Sequence, residues 1–350
     1  MKTPFELGDE LGPIKILHLA NQAVGLKAIV VVDNVACGPA IGGTRMAPDV
    51  SLEECARLAR AMTYKNAAAG LAHGGAKSVI FADPSMKPEQ KETLIRAFAC
   101  SIEDVRDYIP GPDMGTDEIS MAWVHDEIRR SVGLPREIGG IPLDEIGATG
   151  FGIAVAAEVA EEFCDVKLDG ARIAVQGFGA VGQHAARQLA ARGAVLVAAA
   201  DSRNTITDKS GIDIDTLIQT KQQQGRLSAH PGAGVHESAH IVGVDCDILI
   251  PAARPDVLTG KNADSVKAKL ILQGANIPAT MAAEEALHSR GILSIPDFIA
   301  NAGGVICAAV EFHGGSEAAA FAEIDDKIRR NTREVLELAQ SKNEQPRTSA

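Results

Sequence analysis

The sequence has no pair of cysteines at CxxC spacing, no uncharged run of membrane-spanning length, no basic patch, no internal repeat and no low-complexity linker. Each absence excludes something. Six cysteines (Cys37, Cys55, Cys100, Cys164, Cys246 and Cys307) lie scattered, mostly among apolar neighbours. That pattern argues against a metal finger or a disulfide frame and for buried thiols in a reducing compartment. Without an apolar stretch of about 20 residues there is no candidate transmembrane helix. The opening MKTPFELGDELG lacks the basic start and apolar core of an export signal, so a cytoplasmic location is expected. A net charge of −12 with no local basic cluster argues against nucleic acid and anionic membranes as partners. What remains is ordinary globular composition: 350 residues, 46% hydrophobic and 23% charged. That is enough for two domains, each with its own core, and hence for a cleft. The chain reads as a soluble metabolic enzyme with a small-molecule substrate.

From Lys27 to about Asp144, short β-rich runs (KAIVVVD, SVIFAD) alternate with helical stretches such as EQKETLIRAFACSI, predicting an α/β domain over residues 1–144. GGIPLDEIGATG punctuates its end. A helix (FGIAVAAEVAEEF) follows, then RIAVQ, a helix to Gly193, AVLVAAAD, and later DILIPAA, LILQGAN and ILSIP. β-rich runs spaced by helices predict a second α/β domain over 145–312, with a doubly wound parallel sheet. Residues 313–350 carry an amphipathic helix from about Glu317 to Ala339, expected to pack back across the cleft, and a polar, frayed tail, QSKNEQPRTSA.

Two lysines mark the first domain. Ser51 and Glu54 form a capping box, after which Cys55, Leu58, Met62, Lys65 and Ala69 recur at helical spacing until Gly70. Lys65 therefore lies on the apolar face. Twelve residues on, Lys77 follows Gly74 and Gly75, a hinge that lets backbone approach a ligand, and leads into the apolar strand SVIFA. An ammonium is costly to bury unless an anion meets it, so together the pair suggests a site for a small carboxylate. Taken singly, each is also compatible with a snorkelling or solvated lysine.

In the second domain, Gly177, Phe178, Gly179, Ala180, Val181 and Gly182 spell GFGAVG between a buried-strand pattern and a helix, and Asp201 ends the next strand 19 residues beyond Gly182. The first glycine makes the turn, the second lets a pyrophosphate approach the amides, the third lets helix meet strand, and the helix N-terminus favours the anion. Asp201 would bond a ribose 2′-hydroxyl and favours NAD; Ser202 and Arg203 offer a 2′-phosphate site, so NADP stays open. A competing string, His236, Glu237 and His240 in VHESAH, has the HExxH spacing of zinc proteases. Its flanks, PGAG and IVGV, fit a surface connection better than a long helix, so no metal site is expected there.

These residues resemble the glutamate/leucine/phenylalanine/valine dehydrogenase family. The match runs from about Gly38 to His313 through GPAIGGTRM, MTYKNAAAGLAHGGAK, GPDMGTDE, GATGFG, GFGAVG, LQGAN and PDFIANAGGV. The resemblance implies that the first domain holds an amino acid and the second a nicotinamide nucleotide. It implies that Lys65, helped by Gly42 and Gly43, grips the α-carboxylate, that Lys77 activates water, and that Asp113 shuttles protons to ammonia. Thr149, Asn276 and Asn301 match positions that orient the nicotinamide or its ribose. Ile41, Met62, Gly111, Val305 and Ala308 match the surroundings of the substrate side chain. A homo-oligomer is implied as well.

Two departures bear on the substrate. Glutamate-specific members carry a lysine before the GG of the first block and a serine three residues after GGV; this chain has Ile41 and Ala308. An isoleucine cannot satisfy a buried carboxylate. Leucine-type members place a valine at Ala308 and an alanine at Gly111, so methyl groups are missing from both places. An apolar amino acid such as leucine, phenylalanine or a relative is expected. Pro112 and the GTDE run look more like the glutamate branch, which keeps a glutamate dehydrogenase as the alternative. A nucleotide-binding regulator without catalysis is the third possibility, and Lys77 and Asp113 argue against it.

Overall fold

A computed structural model describes residues 4–350; the start of the MKTPFELGDELG stretch lies outside the described residues. The chain divides into two compact units. One runs to Ile146 and includes Gly304–Glu323; the other comprises Gly147–Gly303 and Ile324–Ala350.

The first unit holds β1 (Lys15–Asn21), β2 (Leu26–Asn34), β3 (Ala40–Met46), α1 (Leu52–Ala68), β4 (Gly75–Ile80), α2 (Pro88–Ser101), β5 (Tyr108–Pro112) and α3 (Glu118–Ile128). Its sheet has the order β1-β2-β4-β3-β5, antiparallel across β1, β2 and β4 and parallel across β4, β3 and β5. Alternation along the strands sends residues to two cores. Val30, Val32, Ala76 and Ile80 pack with Leu94, Ile95 and Phe98 of α2 and Met121 of α3. Ile29, Val31 and Val79 pack with Cys55 and Ala59 of α1. Helix α1 starts at the predicted capping box, where Ser51 Oγ accepts the Glu54 N–H at 3.1 Å. It buries Cys55, Leu58, Met62 and Lys65, as periodicity requires.

The second unit begins with α4 (Ala148–Ala160), β6 (Arg172–Gln176), α5 (Ala180–Ala190), β7 (Val195–Ala200), β8 (Asn204–Thr207), α6 (Ile214–Gln224) and β9 (Gly234–Glu237). There follow β10 (Ile248–Pro251), β11 (Leu270–Leu272), α7 (Met281–Ser289), β12 (Leu293–Ile295) and α8 (Asp297–Ala300). The sheet order is β12-β11-β10-β6-β7-β8-β9. Five strands are parallel, as a doubly wound fold requires, while β8 and β9 add an antiparallel edge that the sequence pattern did not announce.

The remaining helices are α9 (Gly303–Phe312), α10 (Glu317–Lys342) and α11 (Pro346–Ser349). Residues 304–312, read from sequence as part of the second domain, group with the first unit. The cause is specific: the Glu311 carboxylate accepts N–H bonds from Gly133, Leu134 and Ile141 at 2.5, 2.9 and 3.2 Å, and Arg136 pairs with Glu317 at 2.5 Å. The tail is also not frayed. Pro346 is buried and Arg347 reaches two buried carboxylates, Glu284 and Asp297. Of the six thiols, Cys55, Cys246 and Cys307 are buried, but Cys37 and Cys100 are exposed, which corrects the expectation of mostly buried cysteines. Among the described residues no helix is long and apolar enough to cross a membrane.

Candidate active site

Strands β3, β4 and β5 bring the charged groups of the first unit together. Lys77 is the third residue of β4 rather than part of the glycine hinge, paired with Val31 of β2, and its side chain is 2% exposed. Strand alternation turns it toward the α1 side, on the face that Gly43 and Arg45 of the neighbouring β3 share. A Cβ on Gly43 would lie 3.0 Å from Lys77 Nζ and 2.8 Å from Asp113 Cβ. The glycine therefore leaves room for the ammonium and carboxylate to meet, and Lys77 forms an ion pair with Asp113. Gly42 faces the other way, where a Cβ would strike the Ala76 carbonyl at 1.7 Å. The Gly74–Gly75 hinge serves packing, not ligand approach: Cβ atoms there would collide with the Asn34 carbonyl at 1.8 Å and the Thr63 amide at 2.0 Å.

Asp113 follows β5 directly. Its Oδ1 accepts the Met114 N–H at 2.7 Å, and its own N–H donates to Thr116 Oγ1 at 3.0 Å, a hydroxyl that donates to the Thr44 carbonyl at 2.7 Å. Arg45 completes the cluster. Its Nε stands 3.4 Å from Asp113 Oδ2, and its guanidinium also pairs with Glu54 of the α1 capping box. Burial, the largest influence, lowers the Lys77 pKa below the ordinary lysine value; Asp113 opposes this and Arg45 adds to it. Burial acts upward on Asp113, but the charges of Lys77 and Arg45 outweigh it and hold that carboxyl well below the usual carboxylate range. Asp144 behaves in the opposite way. Burial, with the nearby charges of Glu118 and Asp113, pushes its carboxyl up to about 6.

Every residue expected to bind or act on the amino acid lies in this unit, including Val305 and Ala308 of α9. Lys65 and Met62 are buried on α1, Ile41 is buried on β3, and Ala308 is 3% exposed. Gly111 pairs with Gly43 across β5 and β3. The methyl-sized space expected there is bordered closely, since a Cβ would lie 3.2 Å from Val132 Cγ2. The extra room read from that glycine is thus largely taken by Val132.

The positions expected to bind the nucleotide lie in the second unit. Gly177 has φ +91°, a Cβ on Gly179 would meet nothing within 4 Å, and one on Gly182 would strike the Gly177 carbonyl at 2.1 Å. These are the turn, the open approach and the tight helix–strand contact that a dinucleotide loop needs, so the residues fit such a ligand. Phe178 is buried, and its carbonyl accepts from Gln183 Nε2 at 3.0 Å and Lys221 Nζ at 2.6 Å. Ala180 and Val181 open α5, and Thr149 is the second residue of α4. Asp201 follows β7; its Oδ1 accepts N–H bonds from Arg203 and Asn204, and its Oδ2 accepts one from Leu227 at 3.0 Å. Ser202 and Arg203 are exposed. Asn301 Nδ2 reaches Asn276 Oδ1 at 3.2 Å.

The HExxH string does not form one helical face. His236 belongs to β9 and His240 to the following 3-10 turn, the rings stack at 4.2 Å, and His236 Nε2 lies 3.0 Å from Thr207 Oγ1. Among the described residues no three His, Cys, Asp or Glu side chains are grouped to hold a metal ion.

Residues 15–130 match the Glu/Leu/Phe/Val dehydrogenase dimerisation domain, and residues 139–350 match Glutamate/Leucine/Phenylalanine/Valine dehydrogenase. The chain belongs to this family. It is 39% identical over 322 residues to a glutamate dehydrogenase of Aeropyrum pernix, covering 87% of this chain and 77% of that one. It is 38% identical over 301 residues to an NADP(+)-dependent glutamate dehydrogenase of Pyrobaculum calidifontis, covering 81% and 71%. The structure of the hetero-hexameric glutamate dehydrogenase from Thermus thermophilus, Leu-bound form, matches with a TM-score of 0.90 at 28% identity, covering 96% of this chain and 86% of that one. L-tryptophan dehydrogenase from Nostoc punctiforme matches at 0.69 and 27% identity, covering 99% and 95%.

For a Glu/Leu/Phe/Val dehydrogenase, the two-domain α/β fold is the architecture that the sequence pattern led us to expect. Three charged groups near the candidate residues were missed in the sequence. Arg45 sits two residues beyond Gly43 and shares its strand face, a signal that was available. Asp144 and Lys221 carry no local signature, because each acquires its surroundings through the fold.

Proposed function

We propose that this dehydrogenase uses NAD(P) to oxidise an apolar L-amino acid to the imino acid, which it hydrolyses to the 2-oxo acid and ammonia. The observation that carries the substrate choice is Ile41, 2% exposed on the strand face shared with Gly43 and Lys77. A substrate side-chain carboxylate brought against Ile41 would lose its hydration with no cation at that position to replace it, at an effective cost of several kcal/mol. Lys65 holds the α-carboxylate. Lys77, whose lowered pKa makes the free amine accessible, takes a proton from the water that attacks the imino carbon. Asp113, in direct contact with Lys77, moves protons to the departing ammonia.

Gly177, Gly179 and Gly182 with the start of α5 cradle the pyrophosphate, and Thr149, Asn276 and Asn301 orient the nicotinamide or its ribose. When bound, the nicotinamide supplies the hydride acceptor. Asp201, kept ionised by three backbone N–H bonds and Lys221 against its burial, favours a ribose hydroxyl over a phosphate and so NAD. A homo-oligomer is part of this reading.

Glutamate is the second reading, favoured by the names of the relatives and by Pro112 and the GTDE run. Absorbance of reduced nicotinamide, followed across the twenty amino acids with NAD and with NADP, decides between them. Turnover should be highest with leucine, phenylalanine or relatives, and Ile41→Lys should raise glutamate turnover. Activity confined to glutamate in the parent protein overturns the apolar reading.

A further inference from the structure

We propose that Arg347 is a positioning residue for the nicotinamide end of the nucleotide site, acting through Asp297 on the backbone at Ile277 and so on Asn276. The inference rests on the reading that Asn276 and Asn301 serve the nucleotide. Arg347 projects from α11 into a buried polar cluster. Its Nε donates to Glu284 Oε2 at 2.6 Å, its Nη2 donates to Gln273 Oε1 at 2.9 Å and Asp297 Oδ1 at 2.7 Å, and its Cζ lies 5.2 Å from the Phe298 ring centre. Asp297 and Gln273 are fully buried and Glu284 is 5% exposed.

The second oxygen of Asp297 does a different task. Oδ2 accepts the N–H of Ile277 at 2.7 Å, while the Asp297 carbonyl accepts the N–H of Asn301 at 2.9 Å. Ile277 has φ +46°, a left-handed backbone that a β-branched residue keeps only when its surroundings impose it. Its carbonyl accepts the Asp256 N–H at 3.0 Å, so both peptide groups of the strained residue are anchored. Asn276 precedes it directly and meets Asn301 at 3.2 Å. One guanidinium thus fixes the carboxylate that anchors the backbone beside Asn276, while Asn301 is held by the main chain of the same aspartate; a planar fork is suited to the task because it bonds two carboxylates and an amide at once.

The test uses the full chain with Arg347→Ala and Arg347→Lys, at a temperature where circular dichroism of each equals that of the parent. The dissociation constant for NAD(H), or for NADP(H) if that is preferred, should rise about tenfold in R347A and kcat should fall, while the amino-acid KM stays within about twofold. Free guanidinium at tens of millimolar should restore part of the loss, and R347K should restore less, since an ammonium cannot span the three acceptors. Adding Ile277→Gly to R347A should recover nucleotide affinity, because glycine holds a positive φ without an anchor. Parental nucleotide affinity in both Arg347 variants, with only a lower melting temperature, overturns the inference. A parent protein that binds neither nucleotide overturns the reading beneath it.

Discussion

Replacing Asp144 by asparagine should stabilise the protein, and by more at pH 8 than at pH 5. The carboxyl titrates near the ordinary 3.8 in the unfolded chain but is pushed up to about 6 in the fold by burial and by Glu118 and Asp113. Below 3.8 both states are protonated and nothing is lost. As pH rises from 3.8 to about 6, the fold retains a proton that the unfolded chain has released, so stability falls with pH; above 6 the full cost is present. At about 1.36 kcal/mol per tenfold, that cost is about 3 kcal/mol at pH 8 and about 1.5 kcal/mol at pH 5. Asparagine keeps the shape and carries no charge, so the variant should gain about these amounts, less whatever water screens at a half-buried carboxyl. Urea unfolding of both proteins at the two pH values, followed by circular dichroism, measures the difference. An equal gain at both values, or a loss at pH 8, would refute the electrostatic account of Asp144.

Lys77→Ala should abolish turnover while nucleotide binding by titration calorimetry survives; unchanged turnover would falsify its assignment. Lys65→Ala should chiefly raise KM for the amino acid, and an unaltered KM for every substrate removes its role. Gly43→Ala would press a methyl against Asp113 and Lys77 Nζ, so kcat/KM should drop at least about tenfold, about 1.4 kcal/mol of transition-state stabilisation, in a protein that still folds. Full activity in that variant means that the ion pair can part without consequence.

Local signals were read well and distant ones poorly. The capping box, the helical face bearing Lys65 and the three glycines of the nucleotide loop are short-range patterns, and each formed where the residues placed it. What escaped depends on partners far along the chain. The Glu311 carboxylate looks like one more helix acid until the amides of Gly133, Leu134 and Ile141 converge on it. Arg347 sits in a polar stretch whose composition suggests solvent, yet its partners lie 50 to 74 residues away. Strands β8 and β9 are four residues each, too short for alternation to announce them. Gly74 and Gly75 misled in another way, because permissive backbone reads the same whether a ligand or a neighbouring segment comes close.

The path of the chain has a consequence for how these enzymes diversify. It passes from one unit to the other three times, after Ile146, after Gly303 and after Glu323. Val305 and Ala308 therefore sit in the gene beyond the nucleotide-binding stretch, yet in space they belong with Ile41 and Lys77. A single recombination between two relatives near residue 147 would bring a foreign α9 into the first unit along with a foreign second unit. Exchanging the second unit alone requires three crossovers, after Ile146, Gly303 and Glu323, because α10 and α11 return to it.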